Sequence, residues 1–348
     1  MNRPVVLFVL LLLIGLSFSK LYGQRHLTVL EYNVENLFDT VHAEGRADEE
    51  FLPKAPRQWT SQRYWKKLGQ LNKVIAAVGG LTPPDLIALC EVENGDVLED
   101  LTQRTALRRW QYKYVVTHSP DERGIDVALL YQPHTFRLLS KVSERIPYNI
   151  YNNESPTRDI LHISGEVLSG DTLDIFLCHF PSRAGGEPQR ESYRCRAAAL
   201  LKQKSDSIMG LRQQPAVLIL GDFNDEYSDP SISEVLLARS PQETKSFSSD
   251  SLYVLSAQKT ARDGIRGTYK YKGDWSQLDQ IIVNGRLLQE ESSIFTKWSD
   301  CHIVDFPFLL QTDKAHGGKR PRSTYRGTFY NGGFSDHLPM SLRLYLRE

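Results

Sequence analysis

Apolar residues recur along this chain in short, β-branched runs: Leu27 to Val34, Leu86 to Val92, Ile125 to Tyr131, Leu173 to Phe180, Ala216 to Phe223, Leu278 to Val283 and Met340 to Leu346. Runs of this length, bounded by polar residues, predict buried β-strands. Between the first two, Ser61 to Val78 places Leu68, Leu71, Ile75 and Val78 at helical spacing and stops at Gly79-Gly80. That is the pattern of an amphipathic helix with a glycine end. A second helix is expected from about Pro188 to Met209, with proline in its first turn and Tyr193, Ala197, Leu200, Leu201 and Ile208 facing inward. No repeat or low-complexity linker divides the chain, so Gln24 to Glu348 reads as one α/β domain with helices covering packed sheets. Asp39 to Thr60 and Asp300 to Phe334 are the longest stretches without a pattern, and loops of that length are expected to be functional or mobile.

The apolar run nearest the N-terminus is of another kind. Arg3 precedes Val5 to Leu16, and Ser17, Ser19 and the segment Lys20 to Gln24 follow. A charged start, an apolar stretch too short to span a bilayer with ease and small residues behind it predict a secretory signal peptide over residues 1–23. Ser19 or Gly23 suits the position before cleavage, and no Cys follows the run to carry a lipid anchor. The expected location is therefore the periplasm or the medium. The 42 basic residues balance the 42 acidic ones, and loss of Arg3 and Lys20 leaves 40 against 42, a charge of −2. A chain so balanced attracts a polyanion only through a local basic patch. Cys90 and Cys178 fall inside apolar runs and read as buried thiols; with Cys195 and Cys301 they form no zinc-ligand spacing.

The chemistry gathers at strand ends. Asn33 and Glu35 close the first run, Glu91 the second, and Asp126 opens the third. His179 ends the fourth, Asp222 and Asn224 follow Leu220-Gly221, Asp279 lies in Gln277-Leu278-Asp279-Gln280, and Ser335-Asp336-His337 precedes the last run. Any one of these is an ordinary cap or surface charge. Their joint occurrence predicts a hydrated or metal-bound cleft where several strand ends converge, because such groups are costly to bury alone.

The ordered set Asn33-x-Glu35, Glu91, His179, Gly221-Asp222-Phe223-Asn224, Asp279 and Ser335-Asp336-His337 resembles the endonuclease/exonuclease/phosphatase superfamily, from Leu27 to Met340. The resemblance implies a four-layered α/β sandwich, two central mixed β-sheets flanked by helices, with a divalent-metal site at one edge. It implies cleavage of phosphoric esters, which needs charge neutralisation, an oriented water and a protonated leaving oxygen. Carboxylate donors suit Mg²⁺, with Mn²⁺ or Ca²⁺ as alternatives. Glu91 is then the principal metal ligand, with Glu35 and Asp336 as further ligands, directly or through water. Glu35 stands where some relatives carry Asp, and its extra methylene bears on which of the two applies.

By the same resemblance His337 and Asp279 form a dyad, while Asp222 and Asn224 position or activate water and bind a phosphate oxygen. His179 matches the second imidazole of deoxyribonuclease-like members, with Asp126 as its expected carboxylate partner. Asn33, Arg158 and Arg183 are expected to contact substrate phosphate; Arg196 and the crowded Lys319, Arg320, Arg322 and Arg326 are further basic candidates. The expected function is a secreted, metal-dependent phosphodiesterase, an endonuclease acting as a monomer on nucleic acid or another phosphodiester, with no obligate protein partner. The alternatives are a phosphatase or a sphingomyelinase-like lipid phosphodiesterase, and a catalytically silent binding protein. Inositol-polyphosphate phosphatases carry Trp-Cys-Asp-Arg near the Asp279 position, where this chain has Trp275-Ser276-Gln277, which speaks against that branch. For membrane docking the candidates are Trp298, Phe306, Phe308 and Leu309, although Phe306 to Leu310 equally reads as a buried strand.

Overall fold

The computed structural model describes residues 25–148, 155–183 and 189–347, so the expected signal peptide and Pro188 lie outside the described residues. In chain order the strands are β1 (Arg25–Leu37), β2 (Leu86–Val92), β3 (Lys113–Val116), β4 (Asp126–Tyr131), β5 (Phe136–Glu144), β6 (Ile160–Val167), β7 (Thr172–His179), β8 (Ala216–Asp222) and β9 (Leu252–Val254). A hairpin of β10 (Tyr269–Tyr271) and β11 (Asp274–Ser276) leads to β12 (Asp279–Asn284), β13 (Ile294–Phe295) and β14 (Cys301–Ile303). Two small hairpins, β15 (Leu310–Thr312) with β16 (Lys319–Pro321) and β17 (Tyr325–Arg326) with β18 (Phe329–Tyr330), precede β19 (Met340–Leu346).

Two sheets result. One runs β13-β19-β1-β2-β4-β3, with β14 also on β19; the other runs β5-β6-β7-β8-β12-β9. Each contains one parallel pair, β1 with β2 and β7 with β8, among antiparallel neighbours. Strand periodicity of two assigns the faces. In β8, Ala216, Leu218 and Leu220 join the core between the sheets, whereas Val217 and Ile219 join the cluster under the helix α3 (Gln189–Leu211). In β7, Ile175 and Leu177 face the other sheet while Phe176 and Cys178 face α3. The helices α1 (Ser61–Gly79) and α2 (Gly95–Gln103) cover the first sheet, which completes a four-layered α/β sandwich with two central mixed sheets.

The seven expected strands form to within three residues at their ends. The first helix also forms, ending at Gly80 with φ 66°. Strands β5 and β6 escape the apolar pattern for physical reasons. β5 is an edge strand whose residues are mostly exposed, and β6 carries His162 and Ser164, both bonded to the buried Asp174. The inward face of α3 differs from the expected one. Ala197 and Leu201 are buried as expected, but Tyr193 is half-exposed and Arg194 is buried, its Nε 2.8 Å from Asp225 Oδ1. A paired arginine hides a buried face from any reading of apolar spacing. The stretch Asp39 to Thr60 is pinned down by Trp59, whose Nε1 donates to the Phe38 carbonyl at 2.9 Å, and by Phe38 stacked on Phe51 at 4.2 Å. All four cysteines are free thiols. Among the described residues no helix is long and apolar enough to cross a membrane.

Gly221 is the tightest point of the second sheet. It holds φ 135°, and a Cβ there would lie 1.9 Å from the Cys178 carbonyl oxygen of the parallel neighbour. Gly221→Ala is expected to lower unfolding stability by at least about 1–3 kcal/mol, since both the dihedral and the contact are forbidden to a side chain. Urea denaturation with an unchanged midpoint would show that the backbone relaxes there at no cost.

Candidate active site

Sheet register assembles the site. His179 on β7 pairs with Asp222 on the parallel β8, and Asp222 pairs with Asp279 on the antiparallel β12. All three stand at one level, on the face that alternation turns toward the other sheet. That other sheet supplies Asn33 from β1, and the segment before β19 supplies His337. The Gly221 conformation lets β8 approach β7 closely enough for this alignment.

Asp222 is the hub. Its Oδ2 accepts from Asn33 Nδ2 at 2.9 Å and lies 3.7 Å from His179 Nε2 and 3.9 Å from His337 Nε2. Its Oδ1 accepts from the Asn224 backbone N–H at 2.8 Å. His337 Nδ1 is 2.7 Å from Asp279 Oδ2, which also accepts from the Thr268 hydroxyl. Ser335 sets the loop by donating to the Asn33 carbonyl at 2.7 Å and accepting from the His337 N–H at 3.1 Å. The Tyr269 ring covers the imidazole of His337 at 4.9 Å.

Surroundings drive the two imidazoles apart. Burial would lower the pKa of His337, but the charge and hydrogen bond of Asp279, then Asp222 and Asp336, overcome it and raise the value well above the ordinary 6.5. His337 is thus held as an imidazolium, its Nε2 3.9 Å from Asp222 Oδ2. His179 is depressed well below 6.5 by burial first, then by the charges of Arg158, Arg123 and His337. It is neutral, and since its Nδ1 has no partner among the described residues, the proton belongs on Nε2 facing the carboxylates. Burial and the nearby Asp279 raise Asp222 to about 7, against the pull of His337 and the bonds from Asn224 and Asn33. Divergent pKa values in one cleft are the signature of assigned acid and base roles.

The acids at this edge are hard oxygen donors and fit a divalent cation. Asp222, Asp279 and His337 each offer a ligand atom within 4.8 Å of the other two among the described residues. The expected ligand set Glu35, Glu91 and Asp336 does not close up in this way. Glu35 instead accepts from the backbone N–H groups of Thr324 and Tyr325, the latter at 3.0 Å, so its longer side chain anchors that turn. Glu91 gives Oε2 to the Asn36 N–H at 2.8 Å and keeps Oε1 toward His179 Nε2 at 3.9 Å. Asp336 is half-buried, and its pKa is raised by burial and by Glu91 against the pull of His337.

Other expectations need correction. Asp126 does not hold His179: its Oδ1 accepts from Thr117 Oγ1 at 2.6 Å, the Ser119 N–H at 2.9 Å and the Ser119 hydroxyl, which fixes the turn before β4. Arg158 is buried, with Nη1 3.2 Å from Asp121 and Nη2 donating to the Phe180 carbonyl at 2.7 Å. Arg183 braces the loop after β8 through the Asn224 carbonyl at 2.7 Å, Asp225 and Asp229. Both arginines thus have protein partners in the loops beside β7 and β8. Arg196 Nη1 donates to the Pro147 carbonyl at 3.3 Å. Of the candidate docking aromatics, Leu309 is buried, while Trp298, Phe306 and Phe308 pack against the core, Phe308 on Phe334 at 5.2 Å. Phe306 to Leu310 is a tight 3₁₀ turn at Pro307–Leu309 followed by β15, not a strand throughout.

The sequence matches the model of the Endonuclease/Exonuclease/phosphatase family over residues 28–346. No curated protein matches. Among solved structures, humanized D. rerio TDP2 is 13% identical with a TM-score of 0.56, covering 92% of this chain and 98% of that one. The human nocturnin catalytic domain with bound sulfate is 16% identical with a TM-score of 0.54, covering 94% and 98%. A mannosyl-6-phosphatase of Bacteroides thetaiotaomicron is 15% identical with a TM-score of 0.55, covering 91% and 99%. At such identities the likeness is one of fold.

Two buried ionisable groups carry no signal in the strand-end motifs. Lys67 on α1 donates to Thr324 Oγ1 at 2.6 Å and to the Phe334 carbonyl, and its charge faces Glu35, Asp336 and Glu91. Its position, four residues before Leu71, marks it as an inward residue that apolar spacing passes over. Glu31 on β1 is fully buried, two residues before Asn33 and so on the same face. Neither of its oxygens has a partner among the described residues, nor has Asp279 Oδ1. Burial, then Asp279 and Asp222, raise its pKa well above the ordinary 4.5, so Glu31 stays protonated and backs the dyad as a neutral acid. The stability it contributes in that form is whole below pH 4.5 and falls as pH rises toward the folded-state value. Glu31→Gln never ionises, so urea denaturation should show the variant gaining on the parent between pH 5 and pH 8. A stability difference independent of pH would mean that Glu31 is ionised in the fold.

Proposed function

We propose that this chain, which belongs to the endonuclease/exonuclease/phosphatase family and is a hydrolase of phosphoric ester bonds, is a divalent-metal-dependent phosphodiesterase acting on nucleic acid. The carrying observation is the placement of His337 and His179 on either side of one Asp222 carboxylate, 3.9 and 3.7 Å from its Oδ2, with Asp279 raising the pKa of the first and burial lowering that of the second. A phosphate diester needs a proton donor for an oxygen that leaves, a base for the incoming water and donors that tolerate its negative charge. His337 holds the proton at Nε2, and Asp279 fixes the ring and supports its charge. Asp222, oriented by Asn33 and by the Asn224 N–H, accepts the proton of water. His179 offers a neutral N–H to a phosphate oxygen. A divalent cation, which we take to be Mg²⁺, supplies Lewis-acid neutralisation of phosphate charge when bound. Glu91 and Asp336, the acids at this edge that the proton transfers leave unused, are the groups that would hold it.

The apolar leader supports export, to the periplasm or the medium, and the near-zero net charge supports recognition of a polyanion by local patches rather than by the whole surface. We take the protein to act as a monomer.

Plasmid DNA, RNA, sphingomyelin and soluble phosphate monoesters, each with Mg²⁺ or EDTA, separate the readings. Nicking of DNA or RNA should require the metal and fall by about 10²–10⁴-fold in His337→Ala and in Asp222→Ala, both folded by circular dichroism. Because Asp222 must lose its proton and His337 keep its own, the acidic limb of the pH–rate profile should lie near 7. Turnover of monoesters alone identifies a phosphatase, and of sphingomyelin alone a lipid phosphodiesterase. No turnover under several metals leaves a binding protein.

A further inference from the structure

The side chains that β1 turns toward the second sheet are, in order, Leu27, Val29, Glu31 and Asn33. On β12 the face that meets them carries Asp279, Ile281 and Val283. A third apolar residue at position 31 would simply continue the core between the sheets. The chain sets a fully enclosed carboxyl there instead, a costly choice unless the group has a partner.

Three acceptors are left over at this point. Both Glu31 oxygens and Asp279 Oδ1 are buried without a partner among the described residues. The donors around them are committed elsewhere. His337 Nδ1 and the Thr268 hydroxyl both go to Asp279 Oδ2, and Gln277 Nε2 goes to the Asp279 carbonyl. Asn33 Nδ2 serves Asp222 at 2.9 Å, and Cys90 Sγ serves the Cys178 carbonyl at 3.4 Å. A single proton on Glu31 turns the remaining clash of acceptors into a hydrogen bond from carboxylic acid to carboxylate, one of the stronger kinds. Burial and the bond to Asp279 both act to keep that proton on Glu31.

The bond matters to the dyad. Because Oδ2 carries both the His337 and the Thr268 contacts, rotation of the Asp279 carboxylate about its Cβ–Cγ bond is restrained from one side only. A cation at Oδ1 would supply the other restraint but draw off the charge that keeps His337 protonated. A neutral acid supplies it and leaves that charge in place. We propose that Glu31 is a positioning residue for catalysis, a neutral carboxylic acid that donates to Asp279 Oδ1 and so orients the dyad carboxylate toward His337. The inference rests on the phosphodiesterase reading for what the dyad does, and on the orphaned acceptors alone for the hydrogen bond.

Two measurements on the full chain test it. Infrared difference spectra, parent minus Glu31→Gln at neutral pH, should show the carbonyl band of one carboxylic acid. In an Asp279→Asn background that band should move to higher frequency, because its acceptor has lost its charge. The second measurement is cleavage of a fluorogenic oligonucleotide with Mg²⁺. Glu31→Gln, whose amide still donates, should keep kcat within about threefold of the parent. Glu31→Met, of like size without a donor, should lose at least about tenfold in kcat with KM within about twofold; Glu31→Leu takes its place where the Met variant does not fold. A glutamate kept only to fill space would give apolar variants as fast as the parent, and that result overturns the proposal. So does a Gln variant as slow as the apolar one, or an acid band that is absent or unmoved by Asp279→Asn. A parent that cleaves no oligonucleotide yet shows the Asp279-dependent band defeats the proposed function and leaves the hydrogen bond standing; cleavage without the band does the reverse.

Discussion

The contact between His337 Nδ1 and Asp279 Oδ2, 2.7 Å long and closed to solvent, is the interaction on which the rest of the site depends. A buried carboxylate needs a positive partner or a proton, and here one imidazolium serves Asp279 directly and Asp222 and Asp336 by charge. Glu31, behind Asp279, is left without a cation and so keeps its own proton. Lys67 occupies the other flank, toward Glu35 and Asp336. The sandwich can therefore close over six acids at one sheet edge because each has an assigned proton, cation or set of N–H donors.

Backbone strain gathers at the same edge. Glu35, Asn36, Glu91 and Asn224 all hold φ between 51° and 66°, a region side chains adopt at a cost. At Glu35 and Glu91 the register between β1 and β2 slips, and β2 slips against β4 in the same place. A regular ladder would alternate these side chains between the two faces. The irregularity re-aims them at the cleft, and Asn36 donating to Glu91 Oε2 at 2.8 Å holds the bend. The cost of these dihedrals is spread over a core whose large side chains are almost wholly enclosed.

The strands and most of the cleft were legible because a polar residue at the end of an apolar run is conspicuous. Asn33, His179, Asp222, Asn224, Asp279 and His337 do come together, with the spacing that sheet register dictates. What stayed hidden was hidden for identifiable reasons. Glu31 and Lys67 look like breaks in an apolar pattern, and only three-dimensional proximity turns them into members of a charge network. Asp126, Arg158 and Arg183 were legible as polar residues near strand ends but not in their partners, since Ser119, Asp121 and Asp229 lie on loops whose path no periodicity predicts. Residue type and position along a strand thus locate a site, while tertiary pairing decides which polar groups are left over to act.

That division also bears on where the charges of a chain with no net charge are placed. The acids converge on the sheet edge around the His337 imidazole, whereas Arg123 and Arg158 stand one loop away, past Phe180, on the lining of a separate cavity. Separation of charge within a balanced composition thus gives two local fields of opposite sign, which the net charge of the chain conceals.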